Sequence, residues 1–286
     1  MEPYTTVYMA LTGASPPPKP RRGDLEEAAR NKVLLEYMRV TGYRGLWRDR
    51  QEEMRRRLVE SIAEVEAVLG ERVEHVYIKT CKPVAYVPSD IDMLAPPHGA
   101  AEAARLLARR GWRLAALDHY TVTMARRGVV LDIYTSLTLA DTVYLDARLI
   151  DMRRDTETCM LDDTPIPAPR RPLEAAIDTA HAVYKERLYT LNDHLTLTRI
   201  GIGAAAEAAR RLRVEGAVRH AALLASMAAK GLRLPRHIDP PHWILLHASK
   251  TLKDPSYRAT LGNTLRRILT RTAGGTILHR LRRQTY

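Results

Sequence analysis

The chain contains 286 residues, of which 45% are hydrophobic and 27% charged, so it is long and apolar enough to bury one or two globular cores. No run of about 18 apolar residues is present, which argues against a membrane span, and the first residues lack the basic region of a signal peptide. The net charge of +12 favours polyanionic partners, and two distant cysteines, Cys81 and Cys159, predict a reducing cytoplasm with neither a zinc site nor a disulfide.

The N-terminal part is predicted to be an arm followed by helices. Residues 1–23 end in the proline-rich segment ASPPPKPRRG and are interpreted as an arm or linker. Asp24 is expected to cap the helix that follows. Apolar residues at three-to-four spacing predict a longer helix over residues 48–69, which ends at Gly70.

Residues 24–155 are expected to form a small α+β unit with a mixed sheet. After Gly70 the hydrophobic pattern changes from a helical to an alternating period. The segments RVEHVYIKT, DIDML and VVLDIYTSL predict strands, and PPHGAAEAARLLARRG predicts a helix. WRLAALDHYTVTMARRG predicts either a strand with a turn or one long bent strand.

The C-terminal part is predicted to be helical and basic. Residues 156–172 are rich in proline and are interpreted as a linker, and residues 173–286 as an all-helical domain. The whole positive excess lies in residues 206–286, which hold 16 basic and 4 acidic side chains. Such a localised basic surface favours nucleic acid as a partner. A solvated helical surface without a partner is the alternative.

Two aspartates one residue apart interrupt an apolar strand. Asp90 and Asp92 of SDIDML are at positions i and i+2, so a strand directs both carboxylates to the same face. Two like charges held this close favour a cation between them. Asp132, isolated in the apolar strand VVLDIYTSL, would complete a three-carboxylate site if the two strands are neighbours. Hard oxygen ligands of this kind suit Mg²⁺, or Mn²⁺ in its place. An exposed strand edge protected by charge is the alternative.

The order strand, loop, S-D-x-D strand, helix and a later strand with a third Asp resembles the DNA polymerase beta-type nucleotidyltransferase superfamily. The resemblance covers residues 48–137. It implies that Asp90 and Asp92 bind the catalytic and nucleotide-associated metal ions, with Ser89 beside them. It also implies that Asp132 helps to orient or deprotonate the attacking hydroxyl, and that a nucleoside triphosphate, ATP first among them, is the substrate.

The sequence departs from the superfamily at the loop after the first strand. The usual Gly-Ser is replaced by Lys79 and Thr80, and Lys82 follows shortly after. The resemblance implies that the Thr80 hydroxyl and the two lysines contact the triphosphate. It also implies nucleotide contacts from the helical domain, for which Tyr184 and Lys185 are the candidates.

We therefore expect a metal-dependent enzyme that transfers a nucleotide to a hydroxyl of a nucleic acid, with RNA or a tRNA-like molecule favoured. Two alternatives remain open. One is a transferase that attaches AMP to a protein partner in a toxin–antitoxin or defence system. The other is a degenerate transferase fold that binds nucleic acid without catalysis.

Overall fold

A five-stranded mixed sheet is central to the computed structural model, which describes residues 2–16 and 19–269, with side chains to residue 264. Its strands are β1 (Val76–Tyr77), β2 (Ile91–Leu94), β3 (Arg113–Asp118), β4 (Thr121–Arg126) and β5 (Val129–Tyr134). Their spatial order is β1-β2-β5-β4-β3. β2 and β5 are parallel, and the other neighbours are antiparallel. The parallel pair requires a long connection, which runs through a helix and the β3–β4 hairpin.

One face of this sheet is covered by two helices, α4 (Leu46–Leu69) and α5 (Pro97–Ala108). Leu58 and Ile62 of α4 pack with Met93 of β2 and Ile133 of β5 in one buried cluster. Residues of the other parity in these strands, such as Leu94, belong to a second cluster that includes the helical part of the chain. Because side chains alternate along a strand, one face of the sheet packs against α4 and α5, and the other face carries the acids.

The remaining helices lie at both ends of the chain. Three are N-terminal: α1 (Pro3–Thr12), α2 (Arg22–Arg30) and α3 (Leu34–Val40). The C-terminal half is predominantly helical and contains α6 (Arg171–Ala180), α7 (Leu191–Ile200), α8 (Ile202–Arg211), α9 (Glu215–Ala229), α10 (Pro240–Lys253) and α11 (Pro255–Leu269). A π-helical segment, His181–Glu186, continues directly from α6. Small strand pairs are formed by β6 (Leu137–Leu139) with β7 (Thr142–Leu145), β8 (Thr156–Leu161) with β9 (Thr164–Pro169), and β10 (Leu188–Tyr189) with β11 (Arg236–His237). The predicted α+β class, a mixed sheet followed by helices, is confirmed.

The N-terminus differs from the arm predicted for residues 1–23. Residues of α1, among them Val7 and Leu11, are buried in the same cluster as the C-terminal helices. The Tyr4 hydroxyl donates a hydrogen bond to the carbonyl oxygen of Leu232 at 3.2 Å. An apolar stripe on one short helix is sufficient to dock it, and the proline-rich segment begins only after α1 ends.

Asp24 does not have the predicted N-cap position. It occupies the third position of α2, and its carboxylate accepts a hydrogen bond from the backbone N–H of Arg21 at 2.9 Å. This is one of the two hydrogen bonds of a capping box, in which a side chain at the third helical position accepts from the backbone N–H of the N-cap residue.

Residues 156–172 form a hairpin, β8–β9, and the start of α6, where a linker was expected. Pro165, Pro167 and Pro169 alternate along β9, so their missing N–H groups all fall on the edge that does not pair with β8. The hairpin brings Cys159 to Cys81, and the two form a disulfide. The expectation of unpaired thiols was wrong because the contact depends on this packing, across 78 residues of sequence.

No helix in residues 2–16 and 19–269 combines the length and apolarity needed to cross a membrane.

Candidate active site

Three aspartates meet where β2 and β5 run side by side. Asp92 of β2 is directly opposite Asp132 of β5 in the parallel register, and Asp90 immediately precedes β2. One carboxylate oxygen from each of the three lies within 4.8 Å of the others. The pairing that the sequence left conditional is therefore present, and three hard oxygen donors face one point.

Asp92 is the most deeply placed of the three acids. One of its oxygens, Oδ2, lies 2.7 Å from the ammonium Nζ of Lys79. The other, Oδ1, is buried and has no hydrogen-bond partner among the residues that the structure describes. Burial raises the pKa of the Asp92 carboxyl, and the charge of Lys79 opposes that rise. A buried carboxylate oxygen without a partner is costly, so the donor set fits a bound divalent cation.

Lys79 adopts a backbone conformation that favours glycine. Its φ angle is +60°, in the left-handed region that glycine enters without a steric penalty. The loop after β1 therefore makes a left-handed turn at a residue that carries a side chain. Thr80 follows, and its hydroxyl donates to the carbonyl oxygen of Ile78 at 3.1 Å.

Asp132 is held by two hydroxyl groups. Thr123 of β4 donates to Oδ1 at 2.5 Å, and Tyr134 of β5 donates to Oδ2 at 3.1 Å. Both donors lie on the same face of the sheet as Asp132, which follows from the antiparallel register of β4 and β5. Such contacts fix the orientation of a carboxylate and are typical partners of a metal ligand.

A second charged group lies where the loop after β1 meets α6 and α7. The ammonium of Lys82 lies 3.0 Å from Oδ2 of Asp178 and donates to the Asn192 side-chain oxygen at 3.3 Å. Burial works to lower the pKa of Lys82, but the carboxylates of Asp178 and Asp193 outweigh it and raise that pKa. Lys82 therefore remains charged at neutral pH.

His181 begins the π-helical segment and points into the same cleft. Its Nδ1 lies 3.1 Å from the Tyr144 hydroxyl, and its Nε2 lies 3.4 Å from Oε1 of Glu186. Burial and the charges of Lys79 and Lys185 lower the pKa of the imidazole well below its usual value. A neutral ring that accepts from Tyr144 and donates towards Glu186 fits these contacts. π-helical turns of this kind are frequent at functional sites.

These groups surround a cleft of about 310 Å³ between the sheet and the helical half. The predicted site residues that line it are Lys79, Thr80, Lys82, Ser89, Asp90, Asp92, Asp132 and Lys185. The Ser89 hydroxyl donates to Oδ1 of Asp90 at 3.0 Å. The volume is in the range of a small-molecule pocket.

Tyr184 is the predicted residue that does not reach the cleft. Its ring is buried on the opposite side of the π-helical segment, with the Lys250 ammonium 5.2 Å from the ring centroid. The residues of this segment that line the cleft are instead His181, Ala182, Lys185 and Glu186.

Other cleft residues were not among the predicted site residues. They are Lys32, Tyr86, Pro88, Asp178, His181, Ala182, Glu186, Leu188 and Asp193. The spacing of Asp178, His181 and Lys185 places them on one helical face, which is the signal that could have identified that group. Lys32 comes from the turn after α2 and carries no such local signal.

Comparisons with known proteins give distant matches. No family model and no curated protein matches the chain. A crystal structure of ANT(2")-Ia with adenylyl-2"-tobramycin shares 15% identity, covering 57% of this chain and 97% of that chain, with a TM-score of 0.40. The solution structure of the antibiotic-resistance factor ANT(2'')-Ia shares 17%, covering 60% and 97%, with a TM-score of 0.42. Likeness at this level does not bear on activity, which must be inferred from the cleft itself.

Proposed function

We propose that this chain is a divalent-metal-dependent nucleotidyltransferase that uses a nucleoside triphosphate. The convergence of Asp90, Asp92 and Asp132 on one point carries the proposal. Asp92 adds a buried oxygen that lacks a partner within the described residues. When bound, Mg²⁺ or Mn²⁺ would neutralise phosphate charge and position the reacting oxygens. The three aspartates would hold that cation.

The lysines of the cleft match a triphosphate. Lys32, Lys79, Lys82 and Lys185 all line it, and their ammonium groups offer several hydrogen-bond donors each. Positive charge fixed around the phosphates stabilises the negative charge that shifts onto the leaving pyrophosphate. Thr80 and Ser89 add hydroxyl groups at the same edge.

The chemistry follows from this arrangement. An acceptor hydroxyl oxygen forms a bond to the α-phosphorus, while the bond between that phosphorus and the pyrophosphate oxygen breaks. The hydroxyl proton passes to Asp132, whose orientation Thr123 and Tyr134 fix. The products are a nucleotidylated acceptor and pyrophosphate.

We further propose a nucleic acid as the acceptor, with RNA the first choice and ATP the first donor. The support is the charge distribution, since residues 206–286 hold 16 basic and 4 acidic side chains. A protein acceptor that receives AMP is the competing outcome of the same experiment.

The test is incubation of the full chain with α-labelled triphosphates, Mg²⁺ and either total RNA or total protein. We expect label in RNA, lost on chelation with EDTA and in Asp90→Asn and Asp92→Asn. Asp163→Asn, an exposed acid in the β8–β9 turn, is the matched control and should retain full transfer. Label in protein alone would reject the acceptor. Absence of label in both pools, or equal label with Asp90→Asn, would reject the enzyme.

A further inference from the structure

A second cavity, the α9–α10 pocket, lies on the far side of the π-helical segment from the cleft. Its volume is about 380 Å³, and it is lined by Tyr184 together with residues that lead into and lie within α9 and α10. His181 and Lys185 of the same segment line the cleft. One short helical segment therefore separates the two cavities.

The rim of the α9–α10 pocket is positively charged. Arg213, Arg219, Lys250 and Lys253 line it against a single carboxylate, Glu215. Lys250 is neutralised by Asp254, whose Oδ2 lies 2.8 Å from its Nζ. Arg219 and Lys253 are exposed and form no ion pair with any residue within the described ranges. Two uncompensated positive charges therefore face this pocket, which favours a negatively charged ligand.

Flat and apolar groups form the remaining wall. Leu223, which is 54% exposed, and Leu246 line the pocket beside His220 and His242, whose ring centroids are 5.0 Å apart. Burial lowers the pKa of His220, and the neighbouring His242 lowers it further. Imidazole rings offer faces on which a planar group can stack.

Two polar features also border this space. The Nε2 atom of His220 is buried and has no hydrogen-bond partner in the part of the chain that the structure describes. The N-terminus of α9, a helix of 15 residues, contributes Gly216 to the lining. A side chain at that position would place its Cβ 3.1 Å from the Tyr184 hydroxyl, so glycine keeps the helix terminus open. Helix N-termini favour anions.

We propose that the α9–α10 pocket binds one nucleotide of a single-stranded nucleic-acid acceptor. The phosphate lies between Arg219 and Lys253, and the base stacks against the imidazole rings and Leu223. A nucleotide is the ligand that combines a phosphate with a planar apolar group. This inference rests on the proposed function, since it states where the acceptor of that reaction is held.

The test measures binding of a fluorescently labelled 12-nucleotide RNA to the full chain by anisotropy, at several salt concentrations. The variant Arg219→Gln/Lys253→Gln removes two exposed charges without touching the core. We expect the Kd to rise about tenfold or more at low salt. The log–log salt dependence should become shallower by roughly 0.7 for each charge removed. The same measurement with single-stranded DNA of the same sequence shows whether the pocket prefers RNA or binds any single strand.

The matched control is Arg109→Gln/Arg110→Gln, which removes two exposed charges at the end of α5. It should bind RNA as the unmodified chain does. Equal loss in both variants, unchanged binding with Arg219→Gln/Lys253→Gln, or no binding by the unmodified chain would overturn the inference. The proposed function fails separately: RNA binding that depends on Arg219 and Lys253, without nucleotide transfer, would support the pocket and reject the enzyme.

Discussion

The ammonium of Lys79 lies 2.7 Å from Oδ2 of Asp92, one of the three clustered aspartates. Lys79 thus has two roles, since its backbone makes the left-handed turn and its own ammonium group lies against a proposed metal ligand. This cation must compete with a divalent ion for the same carboxylate.

We expect Lys79→Met to bind Mn²⁺ more tightly than the unmodified chain, by about tenfold, because a positive charge next to the cation is removed. The same variant should bind a non-hydrolysable ATP analogue more weakly, since the triphosphate loses an ammonium partner. Isothermal titration calorimetry measures both. Equal Mn²⁺ affinity in the two proteins would contradict the competition.

The variant Lys79→Gly tests the effect of the backbone conformation separately from the effect of the side-chain charge. It also lacks the ammonium, but it relieves the left-handed conformation, which costs a side-chain-bearing residue about 1 kcal/mol. The free energy of unfolding should therefore be higher for Lys79→Gly than for Lys79→Met by about that amount. Urea titration of the two variants provides the comparison, and a reversed order would show that the loop carries no strain.

Thr123 is expected to act through Asp132. Thr123→Val keeps the shape of the side chain but removes the hydroxyl that donates to Oδ1 of Asp132. Loss of such a partner typically lowers metal affinity about 10- to 100-fold. Thr123→Ser keeps the hydroxyl and should recover most of the Mn²⁺ affinity. If Val and Ser behave alike, the hydroxyl does not position the carboxylate.

The Cys81–Cys159 disulfide should make stability depend on redox state. It joins residues 78 apart in sequence, and a closed loop of that length restricts the unfolded chain by about 4 kcal/mol. We expect a strong reductant to lower the guanidinium midpoint of the unmodified chain. Cys81→Ser/Cys159→Ser should have the lower midpoint with or without reductant. If the guanidinium midpoint of the unmodified chain is the same with and without reductant, this prediction is contradicted.

The disulfide also anchors the loop that carries Lys79 and Lys82. Reduction should therefore increase amide hydrogen exchange in residues 79–82 more than in β5. Mass spectrometry of the two redox states checks this directly.

The lowered pKa of His247 predicts that the protein loses stability in acid. Its imidazole contacts the Tyr257 hydroxyl and packs 4.1 Å from the Trp243 ring, and burial lowers its pKa from 6.5 to about 4. Between those values the unfolded chain binds a proton that the folded chain does not. Stability therefore falls as the pH falls from about 6.5 to about 4, by up to about 3 kcal/mol from this group.

The measurement compares the free energy of unfolding at pH 7 and pH 4.5. His247→Gln should show a smaller difference between the two pH values than the unmodified chain, because the titrating group is gone. His98→Gln, an exposed histidine in α5, is the control and should keep the full difference. Parallel pH profiles for all three proteins would contradict the assignment.

The aspartate cluster could be anticipated from sequence because its signals are local. The i and i+2 spacing of Asp90 and Asp92, and the isolation of Asp132 in an apolar strand, are both incompatible with an ordinary core. Only the pairing of the two strands had to be assumed. The left-handed backbone of Lys79 was not predictable, since lysine does not favour it.

The unpredicted features depend on long-range packing. The proline content of residues 156–172 suggested a linker, although alternate prolines are compatible with one edge of a hairpin. The disulfide depends on that hairpin, so it was hidden as well. Tyr184 was assigned to the wrong side because its packing against Lys250, 66 residues further along the chain, has no local signal.

The contact between Tyr4 and Leu232 has a consequence for synthesis of the protein. The two residues are 228 positions apart, so α1 leaves the ribosome long before its docking surface exists. At typical elongation rates of about 5–20 residues per second, the delay is roughly 10–50 s. Throughout that interval α1 can pack only against α2 and α3, which it also contacts in the complete fold. The nascent chain therefore presents an apolar helix whose C-terminal packing surface has not yet been made, and a chaperone can bind that helix before the fold covers it.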